Sequence, residues 1–360
     1  MSSSENPSRR LLLKALAVAP VVPGLLGTPV AQAQTATTTA EAQPGTPLAS
    51  WNDGPTKQAI LDFVRVTTDR GSPSFVPPEE RIATFDQDGT LWVEHPIYTQ
   101  VMFVLEGVPA LVKAKPELAK VAPYSTVLEL LKGDRAAMEK LTEPDLFKLL
   151  AATSTGMSVD TFSAEAKKWI AEAKHPRWKK SYTELTYLPM QEVLKYMRAN
   201  GYKTYIVTGG GQDFVRAYSE ATYGIPVEQV IGTAGGLTYG YGKDGKPFMT
   251  KEPKLLINDN NAGKPESIHM EIGRRPYAAF GNSTGDRQML EYTKAGDGAR
   301  LSMIVLHDDA QREYAYGPAQ GLPESKVGTF TQALYDEAKK DGWFVISMKN
   351  DWKRIFSFDQ

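Results

Sequence analysis

Two aspartates separated by one residue follow a short apolar segment of the chain. Residues 82–85 are apolar or β-branched, and Asp86 and Asp88 come next, before Gly89 and Thr90. Such a segment, ended by a glycine-containing turn, is typical of a short buried strand. Two carboxylates this close repel each other unless a cation or a shared proton compensates them. The pattern therefore predicts a metal site, a shared proton, or both.

Polar groups also follow two other segments that have strand-like patterns. Residues 203–207 lead into Thr208 and Gly209, and a later segment leads into Asn282 and Asp286. The carboxyl ends of parallel strands meet at one edge of a sheet, which is where open α/β sheets bind ligands. These groups offer a hydroxyl and an N–H to an anion, beside oxygens for a cation.

A lysine completes this set of groups. Lys264 begins a predicted helix that leads into the strand before Asn282. Lys251 and Lys254 are close in sequence, and we prefer Lys264 because of its position at the start of that helix. Carboxylates for a cation, an ammonium group and fixed N–H donors are the parts of a phosphoryl-transfer site.

Strand and helix patterns alternate over most of the chain, which predicts an α/β fold with a doubly wound, mostly parallel, Rossmann-like sheet. The Lys243–Lys246 turn predicts a hairpin between two further strands. Predicted strands cover residues 82–85, 203–207, 229–233, 277–280, 301–306 and 343–348, with the hairpin at 237–249. Predicted helices cover residues 57–67, 190–200, 212–223, 264–272, 285–293 and 328–340.

A long insert without strand patterns follows the first motif. Residues 92–185 contain amphipathic segments at 98–113, 116–132, 135–141, 143–153 and 158–174, which predict helices. We expect this insert to form a helical cap over a core domain made of residues 51–91 and 186–360. The alternative is a purely structural helical subdomain without a role in substrate binding.

The strand-end motifs, taken together, resemble those of the haloacid dehalogenase superfamily, and the insert resembles the cap of its phosphoserine-phosphatase-like members. The resemblance covers about residues 80 to 348. It is carried by Asp86-x-Asp88-Gly89-Thr90, Thr208-Gly209, Lys264 and Gly281-Asn282-Ser283-x-x-Asp286.

This resemblance implies a role for each matching residue. Asp86 is expected to be the nucleophile that becomes an aspartyl phosphate, and Asp88 the acid that protonates the leaving alcohol and later activates water. Thr208, Gly209 and Lys264 are expected to bind the phosphate. The superfamily's dehalogenases lack an acid two residues after the nucleophile, so Asp88 favours phosphate esters over halides as substrates.

The resemblance also implies a Mg²⁺ ion as cofactor. Its expected ligands are an Asp86 oxygen, the Asp88 backbone carbonyl, and either Asn282 or Asp286. The family usually has aspartate at the position of Asn282. An amide oxygen can still bind Mg²⁺, but it brings less charge, so a second alternative is that Asp286 is the direct ligand.

Two residues after the first motif are candidate substrate contacts. Glu94 and His95 follow the nucleophile loop closely enough to face a ligand. For His95 the alternative is an ordinary loop or core histidine. His307, Asp308 and Asp309 end another predicted strand, and we interpret them as turn residues rather than a second metal site.

The N-terminus has the pattern of an export signal. Arg9 and Arg10 precede a weakly apolar stretch at 15–30 and a small-x-small site at Ala31 and Ala33. This resembles a bacterial twin-arginine (Tat) signal, residues 1–33, which the Tat export machinery would recognise and which would be removed. The prolines and glycines in this stretch make it a poor membrane-spanning helix, so we do not expect a stable membrane anchor. We therefore expect a periplasmic or secreted protein, with a disordered leader at 34–50.

Composition limits the function classes further. The chain has 360 residues, a net charge of −1 and no cysteine, which excludes thiolate chemistry and gives no support for nucleic-acid binding. We expect an exported, Mg²⁺-dependent phosphomonoester hydrolase acting on a small phosphorylated molecule. The alternatives are a phosphotransferase with the same intermediate and a non-catalytic phosphate- or metal-dependent binding protein. The sequence does not indicate the specific substrate or the oligomeric state.

Overall fold

A seven-stranded sheet lies at the centre of the chain in a computed structural model, which describes residues 47–359. The strand order is β4-β3-β2-β1-β5-β6-β7, and every neighbouring pair except β3 and β4 is parallel. This confirms the predicted α/β class. The strands are β1 (Ile82–Phe85), β2 (Lys203–Gly211), β3 (Val230–Tyr241), β4 (Pro247–Ile257), β5 (Ala278–Gly281), β6 (Leu301–Leu306) and β7 (Phe344–Ser347).

Helices cover both faces of this sheet. Alternate strand residues enter two separate apolar clusters, so that Phe280 packs in one and Ala279 in the other. The first cluster also contains residues of α1 (Pro55–Thr68) and α6 (Leu188–Ala199), and the second contains residues of α9, α10 and α11. The remaining core helices are α7 (Gln212–Arg216), α8 (Ser219–Tyr223), α9 (Gly263–Ile272), α10 (Arg287–Lys294), α11 (Gln332–Lys340) and α12 (Met348–Asp351).

The insert after β1 is helical. It contains α2 (Thr99–Ala114), α3 (Tyr124–Leu131), α4 (Glu143–Ser154) and α5 (Val159–Glu172). Helices α2, α3 and α4 share an apolar cluster of their own, which includes Val108, Val127 and Leu149. The predicted helix at 116–132 was too long, because Pro123 interrupts it. A 3₁₀ turn occupies Pro116–Lys120, and another occupies Arg135–Lys140.

The structure differs from the sequence prediction at the sheet edge. The predicted strand at 229–233 and the first arm of the predicted hairpin form one continuous strand, β3, which pairs with β4 over most of its length. The sequence prediction left residues 234–236, which include Gly235 and Gly236, between two separate elements. Instead, the register shifts beside Gly235 absorb the irregularity.

The N-terminal predictions lie mostly outside the described residues. This applies to the signal at 1–33 and to residues 34–46 of the predicted leader. The leader prediction was wrong for residues 47–50, which form a turn packed on the core. Leu48 is buried, and the Ser50 backbone N–H and hydroxyl donate to Glu192. Within 47–359, no helix has the length and apolar character that crossing a membrane requires.

Candidate active site

Strand β1 delivers Asp86 and Asp88 to the carboxyl edge of the sheet, at the point where its neighbours on the two sides are β2 and β5. The Asp86 N–H donates to the Phe280 carbonyl of β5. Gly89 then turns the chain with a φ of +75°, a conformation that glycine adopts without strain. A β-carbon there would lie 2.0 Å from the Asn282 amide nitrogen, so only glycine fits this position.

Lys264 is the cation of the site. Its side chain is 1 % exposed, and its Nζ lies 2.5 Å from Asp86 Oδ1 and 2.6 Å from Asp286 Oδ1. Nζ also donates to the Val207 carbonyl at the end of β2, over 2.8 Å. The predicted choice among the nearby lysines therefore agrees with the geometry. The alternative Lys251 pairs instead with Asp213, away from β1.

Asp286 organises the loop after β5. Its Oδ2 accepts from the backbone N–H groups of Asn282 and Ser283, over 3.0 and 3.1 Å. Its Oδ1 accepts from Lys264. Both carboxylate oxygens thus have protein partners, and the visible role of Asp286 is to hold Lys264 and the loop. A role as direct metal ligand stays a prediction.

Asn282 contacts the nucleophile loop and a buried acid. Its Oδ1 lies 3.3 Å from the Thr90 hydroxyl, which also lies 3.4 Å from Asp86 Oδ2. Its Nδ2 donates to Glu94 Oε1 over 2.7 Å, and the Tyr316 hydroxyl donates to the same oxygen over 2.8 Å. Asn282 and Glu94 are 1 % and 2 % exposed. The carboxyl group of Glu94 therefore contacts the side-chain amide of Asn282, at the position where the family usually has aspartate.

Burial controls the electrostatics of these acids. Burial and the neighbouring Asp286 raise the pKa of Asp86 to about 8, against the opposing effect of Lys264. Burial raises the pKa of Asp88 to about 6, although the Trp92 indole N–H, 2.7 Å from its Oδ1, favours the charged form. Burial likewise raises the pKa of Glu94. Among the described residues that line the site, Lys264 has the one positively charged side chain. Its single charge does not compensate all of these acids in their ionised forms.

The composition of the site fits a hard cation. Asp86 and Asn282 offer side-chain oxygens, and Asp88 offers a backbone carbonyl. Neither Asp88 nor Glu94 has an ion-pair partner within residues 47–359. In the same range, no three His, Cys, Asp or Glu side chains form a metal-binding group by themselves. Mg²⁺ is compatible with this, because it keeps several waters and needs few protein ligands.

The end of β2 forms the opposite wall of the site. Thr208 and Gly209 line the same cavity as Asp86, Asp88 and Lys264. The chain bulges between Thr208 and Gly211, which leaves this segment irregularly paired with β3. The Gly211 N–H is already bound by Gln100 of α2, over 2.6 Å.

A cavity of about 230 Å³ lies between this wall and the insert. The core side contributes the acids, Lys264, Thr208 and Gly209. The insert contributes apolar side chains from α2 and α4, with Tyr98 and Gln100 as its polar groups. Apolar residues of the insert that line the cavity are Val101, Val104, Leu146, Phe147 and Leu150.

The two candidate substrate contacts are in different positions. Glu94 lines the cavity, whereas His95 does not. The His95 ring packs on Tyr316 at 3.7 Å, and its Nε2 lies 3.1 Å from the Ser325 hydroxyl. Burial lowers the pKa of His95 to about 4, so the ring is neutral near pH 7. The placement of His95 is that of a packed loop histidine.

The chain matches a known family over its site-bearing region. The model described as haloacid dehalogenase-like hydrolase matches residues 83–291, more than half of the 360 residues. The chain belongs to the haloacid dehalogenase-like hydrolase family. The match includes Asp86 and Asp88 at one end and Asn282 and Asp286 at the other. The comparison with curated proteins gave no match.

Several solved structures are similar to this hydrolase but share little sequence with it. A functionally unknown protein from Anaerococcus prevotii is 16% identical to this chain, with a TM-score of 0.47. The match covers 71% of this chain and 86% of that protein. A protein of unknown function from Bordetella pertussis is 18% identical, with a TM-score of 0.43 and coverage of 74% and 98%. A phosphoserine phosphohydrolase-like protein from Francisella tularensis is 19% identical, with a TM-score of 0.34 and coverage of 63% and 88%.

Several groups around the site of this hydrolase were not found from the sequence. His307 was interpreted as a turn residue, but its Nε2 donates to the Gly89 carbonyl over 2.8 Å and its Nδ1 lies 3.1 Å from Glu313. It therefore supports the nucleophile turn from behind. The sequence also did not predict that Tyr316 and Gln100 belong to the site. Their hydrogen-bond partners are distant in sequence, and a single polar residue in a helix or loop forms no recognisable pattern.

Proposed function

We propose that this hydrolase cleaves phosphomonoesters through an aspartyl-phosphate intermediate. The observation that supports this best is the shared cavity of Asp86 and Asp88, with Lys264 bound directly to Asp86. A nucleophile, a proton donor and a fixed positive charge then lie on one side of a single substrate position. Thr208 and Gly209 complete the proposed phosphate contacts.

In the proposed first half-reaction, Asp86 reacts in its charged form, which Lys264 favours against the effect of burial on its pKa. One of its carboxylate oxygens attacks phosphorus while the bond to the ester oxygen breaks. The leaving oxygen takes a proton from the Asp88 carboxyl and departs as an alcohol. A pKa of about 6 leaves a fraction of Asp88 protonated near neutral pH, as this step requires. The Trp92 indole N–H holds the Asp88 side chain in place.

In the second half-reaction, the Asp88 carboxylate accepts a proton from water as the water oxygen attacks the phosphorus. The bond between phosphorus and the Asp86 oxygen breaks, which regenerates the Asp86 carboxylate and releases phosphate. Asp88 is then protonated again, ready for the next ester. Lys264 keeps Asp86 oriented through both steps, because it is fixed in turn by Asp286 and the Val207 carbonyl.

The proposed cofactor is Mg²⁺, held by side-chain oxygens of Asp86 and Asn282 and by the Asp88 backbone carbonyl. When bound, it would neutralise charge on the transferring phosphoryl group. The Asn282 amide is oriented for this by Glu94, which fixes Nδ2 and leaves Oδ1 on the side of Thr90 and Asp86. The uncompensated acids of the site support this assignment.

Hydrolysis of phenyl phosphate by the mature protein, with Mg²⁺ and with a chelator, tests the proposal. We expect Mg²⁺-dependent phosphate release that falls by at least about 10⁴-fold in Asp86→Asn. Asp53→Asn is the matched control, because the Asp53 side chain is 97% exposed. Undiminished turnover in Asp86→Asn contradicts the mechanism. Adding an alcohol and searching for its phosphate ester separates hydrolysis from phosphoryl transfer.

We also propose that the protein is exported to the periplasm or beyond through the Tat machinery. Arg9 and Arg10, followed by the weakly apolar stretch and the Ala31-Gln32-Ala33 site, support this. Changing both arginines to lysine should retain the protein in the cytoplasm at its full length. Equal export of the double variant in a cell-fractionation experiment contradicts this proposal.

A further inference from the structure

We infer that the substrate's leaving group is apolar and carries no second negative charge. The inference rests on the proposed phosphomonoesterase function and concerns the same cavity. It follows from the difference between the part of the cavity that belongs to the core and the part that belongs to the insert. We call the second part the apolar roof, defined as Val101, Val104, Leu146, Phe147 and Leu150.

Helix α4 shows that the apolar roof is more than the inner face of the insert. Leu149 is fully buried in the insert's own apolar cluster. Leu146 and Leu150 pack at the edge of that cluster and also line the cavity. Phe147 lines the cavity without belonging to the cluster and keeps 37% of its surface exposed. Helix α4 therefore presents apolar surface over the phosphate site, which an apolar ligand would cover.

The polar groups beside the apolar roof offer few contacts to a polar ligand. The Tyr98 hydroxyl accepts from the Gly328 N–H over 3.1 Å, and Gln100 Oε1 accepts from the Gly211 N–H. Each of these bonds occupies one acceptor position of its side chain. Hydroxyl or ammonium groups of a substrate would lose their hydration against Val104 and Leu150 without gaining a partner there, which disfavours a polar leaving group.

Charge gives an independent argument for the absence of a second anion. Among the described residues that line the cavity, Lys264 is the sole basic side chain, and it already binds Asp86 and Asp286. Asp86, Asp88, Glu94 and Asp286 are the acids of the same lining. A carboxylate or second phosphate on the leaving group would lose its hydration and meet no free cation there.

The size of the cavity suits a small leaving group. Its volume is about 230 Å³, and part of that space belongs to the phosphate group beside Asp86 and Lys264. A second cavity of about 280 Å³ adjoins it at Gln100, Phe147 and Leu150. A phosphate ester of a small aryl or alkyl alcohol fits the first cavity, and the ring of phenyl phosphate is a suitable probe.

Two matched pairs of esters test the inference on the mature protein with Mg²⁺. Phenyl phosphate against 4-carboxyphenyl phosphate isolates charge, and cyclohexylmethyl phosphate against glucose 6-phosphate isolates polarity at similar ring size. We expect kcat/KM to fall by about tenfold or more on going to the second member of each pair. Equal values in both pairs overturn the inference.

A charge placed in the apolar roof sharpens the test. Leu150→Lys should raise kcat/KM for 4-carboxyphenyl phosphate relative to phenyl phosphate by about tenfold. Leu131→Lys is the control, since Leu131 is a 42% exposed leucine of α3 that does not line the cavity. An unchanged ratio in Leu150→Lys, in a variant that melts like the wild type, contradicts the assignment of the roof to the leaving group.

The two proposals fail in different ways. If no ester of either pair is hydrolysed, the proposed phosphomonoesterase function fails. If all four are hydrolysed at similar rates, or if the charged and hydroxylated members are preferred, that function stands and the inference about the leaving group is wrong.

Discussion

The core side and the roof side of the cavity are built in contrasting ways. On the core side, Asp86, Asp286 and Lys264 are buried and bound to one another across different elements, and Lys264 also binds the Val207 carbonyl. On the roof side, Phe147 and Leu150 are partly exposed apolar groups on a helix. In the proposed reaction, the core side would set which bond is broken, and the roof side would set which alcohol leaves.

The two sides also differ in how they are attached. The core groups lie at the ends of β1, β2 and β5 inside one parallel sheet. Near the cavity, the insert is bonded to the core through single side chains, such as Gln100 to Gly211 and Tyr98 to Gly328, while α5 packs into the first apolar cluster of the core. Substitutions in the core should therefore affect stability and kcat together, whereas substitutions in the roof should affect the choice of substrate.

The largest effect is expected for Lys264→Met. Removing the ammonium group leaves Asp86 and Asp286 buried and facing each other, and the loss of a buried partner costs about 3–5 kcal/mol of the free energy of unfolding. Phosphate release should also fall by at least about 10³-fold. Urea denaturation and a phenyl phosphate assay measure both effects.

Lys246→Met is the control for that variant, because it removes a lysine that pairs with Asp244 on the protein surface, where the two side chains are 84% and 60% exposed. We expect it to cost about 1 kcal/mol or less, as is usual for ion pairs in contact with water. Similar losses of stability in the two variants would contradict the contrast between the core and the periphery.

A second core-side prediction concerns Gly89→Ala. An added methyl group would collide with the Asn282 amide and the Glu94 carboxyl, so we expect a loss of activity of at least about 10²-fold and destabilisation by more than about 2 kcal/mol. Gly245→Ala is the matched control, since Gly245 has the same φ of +75° with nothing within 4 Å. The control should cost only the roughly 1–2 kcal/mol of a left-handed alanine. Equal effects would show that backbone conformation, not the close approach, is what Gly89 supplies.

The pair of Asn282 and Glu94 gives a third prediction. Asn282→Asp places a carboxyl against the Glu94 carboxyl, whereas the double variant with Glu94→Gln restores an amide–carboxylate pair with the two groups exchanged. A double-mutant cycle of unfolding free energies should give a coupling of about 1–3 kcal/mol. Mg²⁺ binding measured by calorimetry should weaken in Glu94→Gln alone and recover in the double variant. Additive effects on stability would show that the two side chains do not act as a pair.

The last prediction concerns a pH dependence beneath the core side of the cavity. Burial raises the pKa of Asp259 to about 7, so the folded state holds its proton more tightly than the unfolded chain, whose pKa is about 3.9. Its contribution to stability is complete below the unfolded pKa and is lost as pH rises towards about 7, with a slope of up to about 1.4 kcal/mol per pH unit. Burial also raises the pKa values of Asp86, Asp88 and Glu94, which contribute slopes of the same sign. Asp259→Asn should therefore reduce the slope in urea denaturation across that range without abolishing it. An unchanged slope would assign it to other groups.

The strand-end residues were the part of the site that could be predicted from the sequence. Asp86, Thr208 and Asn282 directly follow strand patterns, and the rule that parallel strands end at one edge brings them together. Glu94 was predicted only as a substrate contact, since nothing in the sequence shows that Asn282 lies beside it. Patterns report which face of an element is apolar, but not which distant side chain completes a hydrogen bond.

The roof could be predicted only in outline. Periodicity located the helices of the insert, but the sequence does not say that Leu149 faces the insert while Phe147 faces the cavity. The length of β3 was missed for a related reason: the glycines that usually punctuate a strand are absorbed by pairing with β4. In both cases tertiary packing decided between local alternatives.

The most direct test of the central claim is mass spectrometry of the Asp88→Asn variant after mixing with phenyl phosphate and Mg²⁺ and quenching in acid. This variant has neither an acid for the leaving alcohol nor a base for water, but phenolate leaves readily, so the phosphorylated enzyme should accumulate. The account predicts one added phosphoryl group on the peptide that contains Asp86, absent when Asp86 is also changed to asparagine. Phosphate release without any such adduct, persisting in Asp86→Asn, would contradict it.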